Sequence, residues 1–557
     1  MKLSGARIVV ERIIANGASA VFGYPGGQIL PIYDELYKNA DRIRHVLTAH
    51  EQGAAHAADG YARAGGGAGV VFATSGPGAT NLVTGIANAC LDSVPLVAVT
   101  GNVPVPMLGR DSFQEVDIFG VTQPIVKHNY VVKDVKKLEG VMDEAFAIAN
   151  GGRRGPVLVD IPKDVQEDIC EYSGAPPQVA AGPAYPFDAK RVADLLINSK
   201  RPFIYAGGGI LAGGAEKELR LVSERLSAPV GLSMMGLTAL PYDYDLNLGM
   251  CGMHGKYSAS VAQSECDMML ALGVRFSDRA TGCAEDYKRG KNIIHIDIDA
   301  AELGKNIPFA AGIRCDVKRA LTELLRVLPE TRRGDWLARI AELKKSDGPP
   351  SRDGPPSSDG PPSRSGFTPR NIIEKVRRFC DDDTIVATDV GQHQMWVAQY
   401  YGFKEPRTFL TSGGLGAMGY GLGAAIGASI ATNRRAVLFT GDGSFGMNCI
   451  ELATAVSYRV PVTVIVLNNG ALGLPRQWQS MFYKSRYSET TLDRATDFSA
   501  LAKAFGAEGY SASRLSDLSD ILKNLGGGPA VIDCRIGIDE RVLPMIPPGG
   551  SVTDIIT

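Results

Sequence analysis

The chain has 557 residues, 45% hydrophobic and 21% charged, with a formal net charge of −2 at pH 7. That length exceeds one hydrophobic core and predicts about three to four domains, while the charge balance excludes bulk attraction to nucleic acid or to an anionic membrane, so any anion site must be built locally. No apolar run reaches the roughly 18 residues of a spanning helix and no signal or transit pattern precedes the first helical stretch, so a cytoplasmic location is expected. The nine cysteines include no CxxC pair, which disfavours a zinc site or a disulfide framework.

Short apolar strands alternate with helical stretches along the whole chain, predicting an α/β fold of three domains, with parallel sheets flanked by helices. The first block, residues 1–168, carries strands at 20–22, 69–74, 95–100 and 156–161. A Pro/Ala/Gly stretch, 174–186, then loosens the chain. The second block, residues 187–345, carries strands at 202–206, 267–272 and 292–297. Residues 346–366 read SDGPPSRDGPPSSDGPPSRSG, three copies of Asp-Gly-Pro-Pro. This composition predicts a solvated, semi-extended linker; for the alternative, a proline-rich recognition ligand, the apolar and basic anchors such ligands use are sparse. The third block, residues 367–557, carries strands at 384–387, 436–440, 461–467 and 530–534.

The third block holds the most informative pattern. Gly441-Asp442-Gly443 ends one apolar run, and Asn468-Asn469 ends the next after 24 intervening residues. The segment 449–458 is long enough for one crossover helix, so a right-handed βαβ unit brings Asp442 and Asn469 to one carboxyl-end sheet edge. A carboxylate and an amide oxygen are hard ligands suited to Mg²⁺, whose remaining positions phosphate oxygens and water fill, and Gly443 allows close approach of a diphosphate. Either half alone reads equally well as an ordinary turn or a capping Asn; the two together point to a metal-held diphosphate.

The run 441–469 resembles the signature of thiamine-diphosphate (ThDP) enzymes, and nearly the whole chain, from Gly5 to the C-terminal PMIPPG, is similar to the acetohydroxyacid synthase (acetolactate synthase) large-subunit family. The resemblance implies three domains: pyrimidine-binding, central FAD-binding and diphosphate-binding. It implies that Glu51, in TAHEQGAAHAADGYARA, is the carboxylate that drives the cofactor's aminopyrimidine into the tautomer that removes the thiazolium proton. Tyr24-Pro25-Gly26-Gly27 matches the loop over the reactive carbon, with the Gly27 N–H as polariser. The family assigns Ser75 to Asn81 to the pyrimidine end. Val390-Gly391-Gln392-His393, Gly416 and Met418 match loops that hold ThDP, Met418 lying beneath its bent form. Asp442, Gly443, Ser444 and Asn469 match the diphosphate and metal segment, with the Ala471 carbonyl as a further metal ligand.

In the second block, Gly207-Gly208-Gly209, Met253-His254-Gly255, Arg275, Asp278, Arg279, Asp297 and Asp299, with Arg153 from the first, match family positions along FAD. Ser277 departs from the family's usual Asp. For substrate, the resemblance implies Arg279 as guanidinium partner of a 2-keto acid carboxylate and Trp478 as the residue favouring 2-ketobutyrate. Leu474, where the family has Met, Phe113 and Gln114 near the entrance, and Lys163 match further positions. Together these imply an enzyme that decarboxylates pyruvate and transfers the hydroxyethyl unit to pyruvate or 2-ketobutyrate, the first common step of isoleucine and valine biosynthesis. They also imply a homodimer or tetramer whose site spans two subunits, and a small regulatory subunit. Rival readings are another ThDP and FAD enzyme, such as pyruvate oxidase, and a cofactor-bearing subunit without catalysis.

Overall fold

The computed structural model describes residues 1–65, 67–177, 185–347 and 366–557. The Asp-Gly-Pro-Pro linker expected at 346–366 therefore falls almost wholly outside the described residues, as does most of the stretch 174–186.

Three six-stranded parallel sheets form the frame, with central strands buried on both faces, as parallel strands flanked by helices require. In the first block, β1 (Lys2–Ser4) pairs antiparallel with β8 (Ile169–Glu171) beside the sheet. The sheet itself contains β2 (Ala20–Gly23), β3 (Arg44–Leu47), β4 (Gly69–Ala73), β5 (Leu96–Asn102), β6 (His128–Val131) and β7 (Pro156–Pro162), in the order β3-β2-β4-β5-β7-β6. The middle sheet contains β9 (Pro202–Ala206), β10 (Val230–Leu232), β11 (Asn247–Met250), β12 (Met268–Leu272), β13 (Asn292–Asp297) and β14 (Ala311–Arg314), in the order β11-β10-β9-β12-β13-β14. The third contains β15 (Ile385–Thr388), β16 (Phe409–Leu410), β17 (Ala436–Gly441), β18 (Val462–Asn468), β19 (Glu508–Ala512) and β20 (Ala530–Arg535), in the order β16-β15-β17-β18-β20-β19. The first and third sheets share one topology, and the middle sheet has the dinucleotide-fold order.

In each sheet the direction of winding reverses near the centre, between β2 and β4, between β9 and β12, and between β15 and β17; in the first and third sheets it turns back again at the far edge, where β7 and β20 insert inside β6 and β19. Such a reversal splays the two following connections apart and opens a crevice at the carboxyl ends of the strands. Each of these three crevices collects motifs singled out in the sequence.

The first and third blocks are clamped by two helices of small residues, Glu51–Gly65 and Tyr420–Thr432. A Cβ on Gly427 would lie 1.8 Å from the Ala57 carbonyl oxygen, and one on Gly60 would lie 2.1 Å from that of Ala424. Only glycine permits the backbones this close, so the run of Ala and Gly after Glu51 is an interblock packing surface.

Two local expectations are corrected. The single crossover helix expected at 449–458 is instead Asp442–Asn448, a 3-10 turn at Cys449–Glu451 and Leu452–Ser457; the chain turns helical at Asp442 itself, ending β17 as soon as the sheet edge is reached. Ahead of the opening helix, Lys2–Ser4 extends against β8, and Ser4 then caps the Gly5–Ala15 helix by accepting from the Arg7 N–H. The strand expected at 95–100 runs from Leu96 to Asn102.

Candidate active site

At the β2/β4 reversal, Tyr24 to Gly27 lies against the turn after β4. A Cβ on Gly26 would sit 2.5 Å from the Thr74 side chain, whereas the space at Gly27 is open; the Gln28 N–H is held by Thr74 Oγ1 at 3.3 Å. Tyr24 is half-exposed. Glu51 opens its helix, where a carboxylate is favoured by the macrodipole. It points to the same crevice: Asn81 Nδ2 donates to Glu51 Oε2 at 2.9 Å, and a Cβ on Gly78 would lie 3.2 Å from Glu51 Oε1. Gly76 packs on the Gln114 backbone, and Gln114 has φ 58°, a left-handed conformation uncommon outside glycine. Phe113 beside it is 85% exposed, an apolar ring offered to something beyond this chain's own fold. Lys163 begins a short helix at the carboxyl end of β7 and is half-buried.

The turn before Glu51 is shaped by a residue that sequence reasoning missed. Glu451, in the third block, accepts the N–H groups of Ala49 and His50 at 3.2 and 3.0 Å and the Thr454 hydroxyl at 2.6 Å. Burial raises its pKa while these donors lower it. A helix-interior Glu in an ELATA context carries no signal of this role, because its partners are some 400 residues away.

At the β15/β17 reversal, Gly441 and Leu467 are in register, so Asp442 and Asn469 meet at one edge. Burial pushes the Asp442 carboxyl up to about 6, against N–H donors from Asp442, Gly443 and Asn469. Its Oδ1 is buried without a protein partner, which is costly unless something else satisfies it. Asn469 Oδ1 accepts the Ala471 N–H at 3.1 Å, while Asn469 Nδ2 donates to Gln392 Oε1 at 3.3 Å. His393 lies against Gly441, and burial lowers its pKa to about 3, so its ring is neutral. Gly391 has φ 155° and faces the same ring. Ser444 Oγ donates to the Val390 carbonyl at 2.9 Å, joining the two connections. A Cβ on Gly443 would meet Leu472 at 2.8 Å and Met418 at 3.8 Å, so bare backbone here leaves room under Met418. An unpartnered carboxylate oxygen, an amide oxygen beside it and unencumbered backbone are the donor set of a hard cation carrying a diphosphate. The residues present fit both groups.

The β9/β12 reversal opens a cavity of about 1130 Å³, above the usual range for a drug-sized ligand. Gly208, Gly209, Arg153, Met253, His254, Arg275, Asp278 and Asp297 line it. Gly207 and Gly255 do not reach its surface; they pack on the Gly273 and Met250 carbonyls, each too close for a side chain. Asp299 also stays off the wall, bonded to Arg153 at 3.3 Å, with Glu302 taking the same guanidinium at 2.6 Å. Burial pushes Asp297 up to about 6 and His254 down to about 4, and His254 Nδ1 is buried without a partner. A glycine-lined strand end, a cation and unfilled polar atoms in so large a cavity suit a dinucleotide.

The same cavity reaches the third block, where Val390, Gly416, Leu474 and Trp478 complete its wall. The Arg279 guanidinium lies over the Trp478 ring, 5.3 Å from its centroid, within cation–π range. The structure thus brings together the two residues read as substrate-selecting, although 199 positions separate them. Arg279 is 60% exposed, with its Nε 3.7 Å from Asp278 and its Nη1 3.9 Å from the Met253 sulfur, weak contacts that a carboxylate can displace. Sequence reasoning also missed Arg63 and Asp92 on this wall; Asp92-Ser93 before a strand reads as a plain turn.

Comparison with known proteins follows the same three blocks. Residues 3–121 match the family profile described as thiamine pyrophosphate enzyme, N-terminal TPP binding domain, residues 189–324 the central domain, and residues 389–534 the C-terminal TPP binding domain. Among curated proteins, the chain is 43% identical to the acetolactate synthase isozyme 1 large subunit of Escherichia coli, covering all of this chain and 98% of that one. It is 42% identical to an acetolactate synthase of Mycobacterium bovis, covering all of this chain and 91% of that one. With the acetolactate synthase large subunit of Porphyra purpurea it shares 40% identity over 99% of this chain and 95% of that one.

Proposed function

Because the chain belongs to the acetolactate synthase large-subunit family of thiamine-diphosphate enzymes, we propose that it decarboxylates pyruvate and joins the two-carbon unit to a second 2-keto acid, yielding 2-acetolactate or 2-aceto-2-hydroxybutyrate. ThDP, when bound, supplies the electron sink for decarboxylation and carbon–carbon bond formation. Asp442 and Asn469, with the Ala471 carbonyl, hold its diphosphate through Mg²⁺. Glu51, fixed by Asn81 and by the Glu451 cap, holds a proton at the aminopyrimidine ring nitrogen. Gly27, unobstructed, presents its N–H to substrate. FAD occupies the middle cleft without a redox step.

Asn81 holds Glu51 from within the first block, the third block's Glu451 accepts the N–H groups of Ala49 and His50 just before it, and Asp442 lies beside Asn469 at the edge of the third sheet. The family resemblance supports a site that joins Glu51 of one copy to Asp442 of a second, with a homodimer as the smallest active unit. Relatives named as large subunits support a separate small subunit as partner. The proposed domains are residues 1–168, 187–345 and 367–557. No helix of the described residues is long and apolar enough to cross a membrane.

The observation that carries the reading is Arg279 over Trp478 on a wall shared with Leu474 and Gly416. A guanidinium free to take a carboxylate, stacked on a broad apolar ring, supports entry of a second keto acid here. Incubation of the protein with ThDP, Mg²⁺, FAD, pyruvate and 2-ketobutyrate, with products identified and oxygen followed, tests it. Acetohydroxy acids without oxygen uptake are expected; oxygen consumption with flavin reduction would favour the oxidase reading instead.

A further inference from the structure

The loop Thr411–Ala417 follows edge strand β16 and leads from the middle cleft toward the Asp442 edge. Ser412 to Gly416 line the middle cleft, and the chain runs directly on to Met418 beside Gly443. The loop is rich in glycine, so its own backbone gives it little definition. Its shape is imposed by the first block.

Asp92 ends the Val83–Leu91 helix with its side chain fully buried. One carboxylate oxygen accepts the Gly414 N–H at 2.7 Å; the other accepts the Gly413 N–H at 3.0 Å and Arg63 Nη2 at 2.9 Å. Arg63 Nη1 donates in turn to the Thr411 carbonyl at 3.1 Å, and Arg63 is itself held by Asp59, 2.7 Å from its Nε. Ser412 Oγ donates to Asn88 Oδ1 at 2.6 Å and accepts the Ala417 N–H at 2.8 Å. From the middle block, Met235 and Arg275 press on the same loop: a Cβ at Gly413 would lie 2.3 Å from the Met235 sulfur, and one at Gly414 3.1 Å from Arg275 Nη2. Three blocks meet here, and a buried carboxylate receiving two N–H groups and a guanidinium is the strongest of the ties.

We propose that Asp92, oriented by Arg63, is a positioning residue that pre-orders the Thr411–Ala417 loop for two ligands at once, the dinucleotide in the middle cleft and ThDP at the Asp442 edge. The inference rests on the functional reading above. With the loop already fixed, neither ligand has to order it on binding. Once the loop is freed, whichever ligand binds first bears that entropy and eases the second. Loss of Asp92 therefore weakens both ligands and creates a dependence of one on the other.

The test is calorimetric titration of the full-length protein with ThDP and Mg²⁺, with and without saturating FAD, for wild type, Asp92→Asn and Ser412→Ala. In Asp92→Asn, one acceptor becomes an amide N–H₂ facing a backbone donor. The ratio of ThDP Kd without FAD to that with FAD is expected to rise about tenfold over wild type, and about threefold in Ser412→Ala, which keeps every charge. General damage would raise Kd alike in both conditions and leave that ratio unchanged. An unchanged ratio in the variants would overturn the inference, and Ser412→Ala decides it if Asp92→Asn does not fold. Failure of wild type to bind ThDP at all would overturn the functional reading as well.

Discussion

The first and third sheets have the same strand order, yet their crevices carry different chemistry. Both reverse direction near the centre, and both pack a glycine at a strand end or in the turn after it against the connection from a neighbouring strand, Gly26 against Thr74 and Gly441 against His393. The first crevice then offers a carboxylate at a helix N-terminus, bonded to an amide. The third offers a carboxylate oxygen buried with no protein partner. Topology fixes where a ligand lies; one or two side chains at the strand ends decide whether that end holds a proton or a cation. The comparison extends one layer down, since the fifth strand of each sheet carries a buried aspartate, Asp160 in β7 and Asp533 in β20. Burial pushes Asp160 up to about 7 despite bonds from Thr100 and Asn102. Asp533 is raised too, but Arg535 pulls against that shift.

Four changes break or sharpen this contrast. Glu51→Gln keeps the amide contact and removes the proton-holding group, so kcat for acetolactate formation should fall by about 10³, with ThDP affinity by titration nearly unchanged. Gly427→Leu drives a side chain into the Ala57 carbonyl and separates the two sheets; a loss of about 3 kcal/mol or more is expected in denaturant unfolding. Trp478→Leu removes the ring beneath Arg279 and should lower the 2-ketobutyrate to pyruvate product ratio about tenfold, equivalent to about 1.4 kcal/mol of discrimination, measured by competition between the two acceptors. The smallest effect is a pH slope. Asp160 binds its proton more tightly folded than unfolded, so its contribution to stability is full below about pH 4 and is lost as pH rises to about 7. Asp160→Asn should flatten the fall in Tm across that interval.

Much of this was legible from spacing. The GDG and NN pair gave the edge of the third sheet because parallel strands buried on both faces read as unbroken apolar runs, and the register of β17 on β18 follows from their crossover. Edge and short strands such as β3, β6, β14 and β16 escaped, since 2 to 4 residues of mixed polarity carry no period. Gly207 and Gly255 were read as ligand contacts, whereas their lack of a side chain serves close packing behind the cleft wall. Glu451, Arg63 and Asp92 could not be read at all, because each acts on backbone hundreds of residues away.

The central claim, that the two crevices are halves of one site completed between copies of the chain, is tested most directly by complementation. Glu51→Gln and Asp442→Ala proteins, each inactive alone, are mixed, dissociated and reassociated, and acetolactate formation is measured. Random pairing restores one intact site in each mixed dimer, so about a quarter of wild-type turnover is predicted. Activity no higher than the sum of the two separate variants would contradict the account.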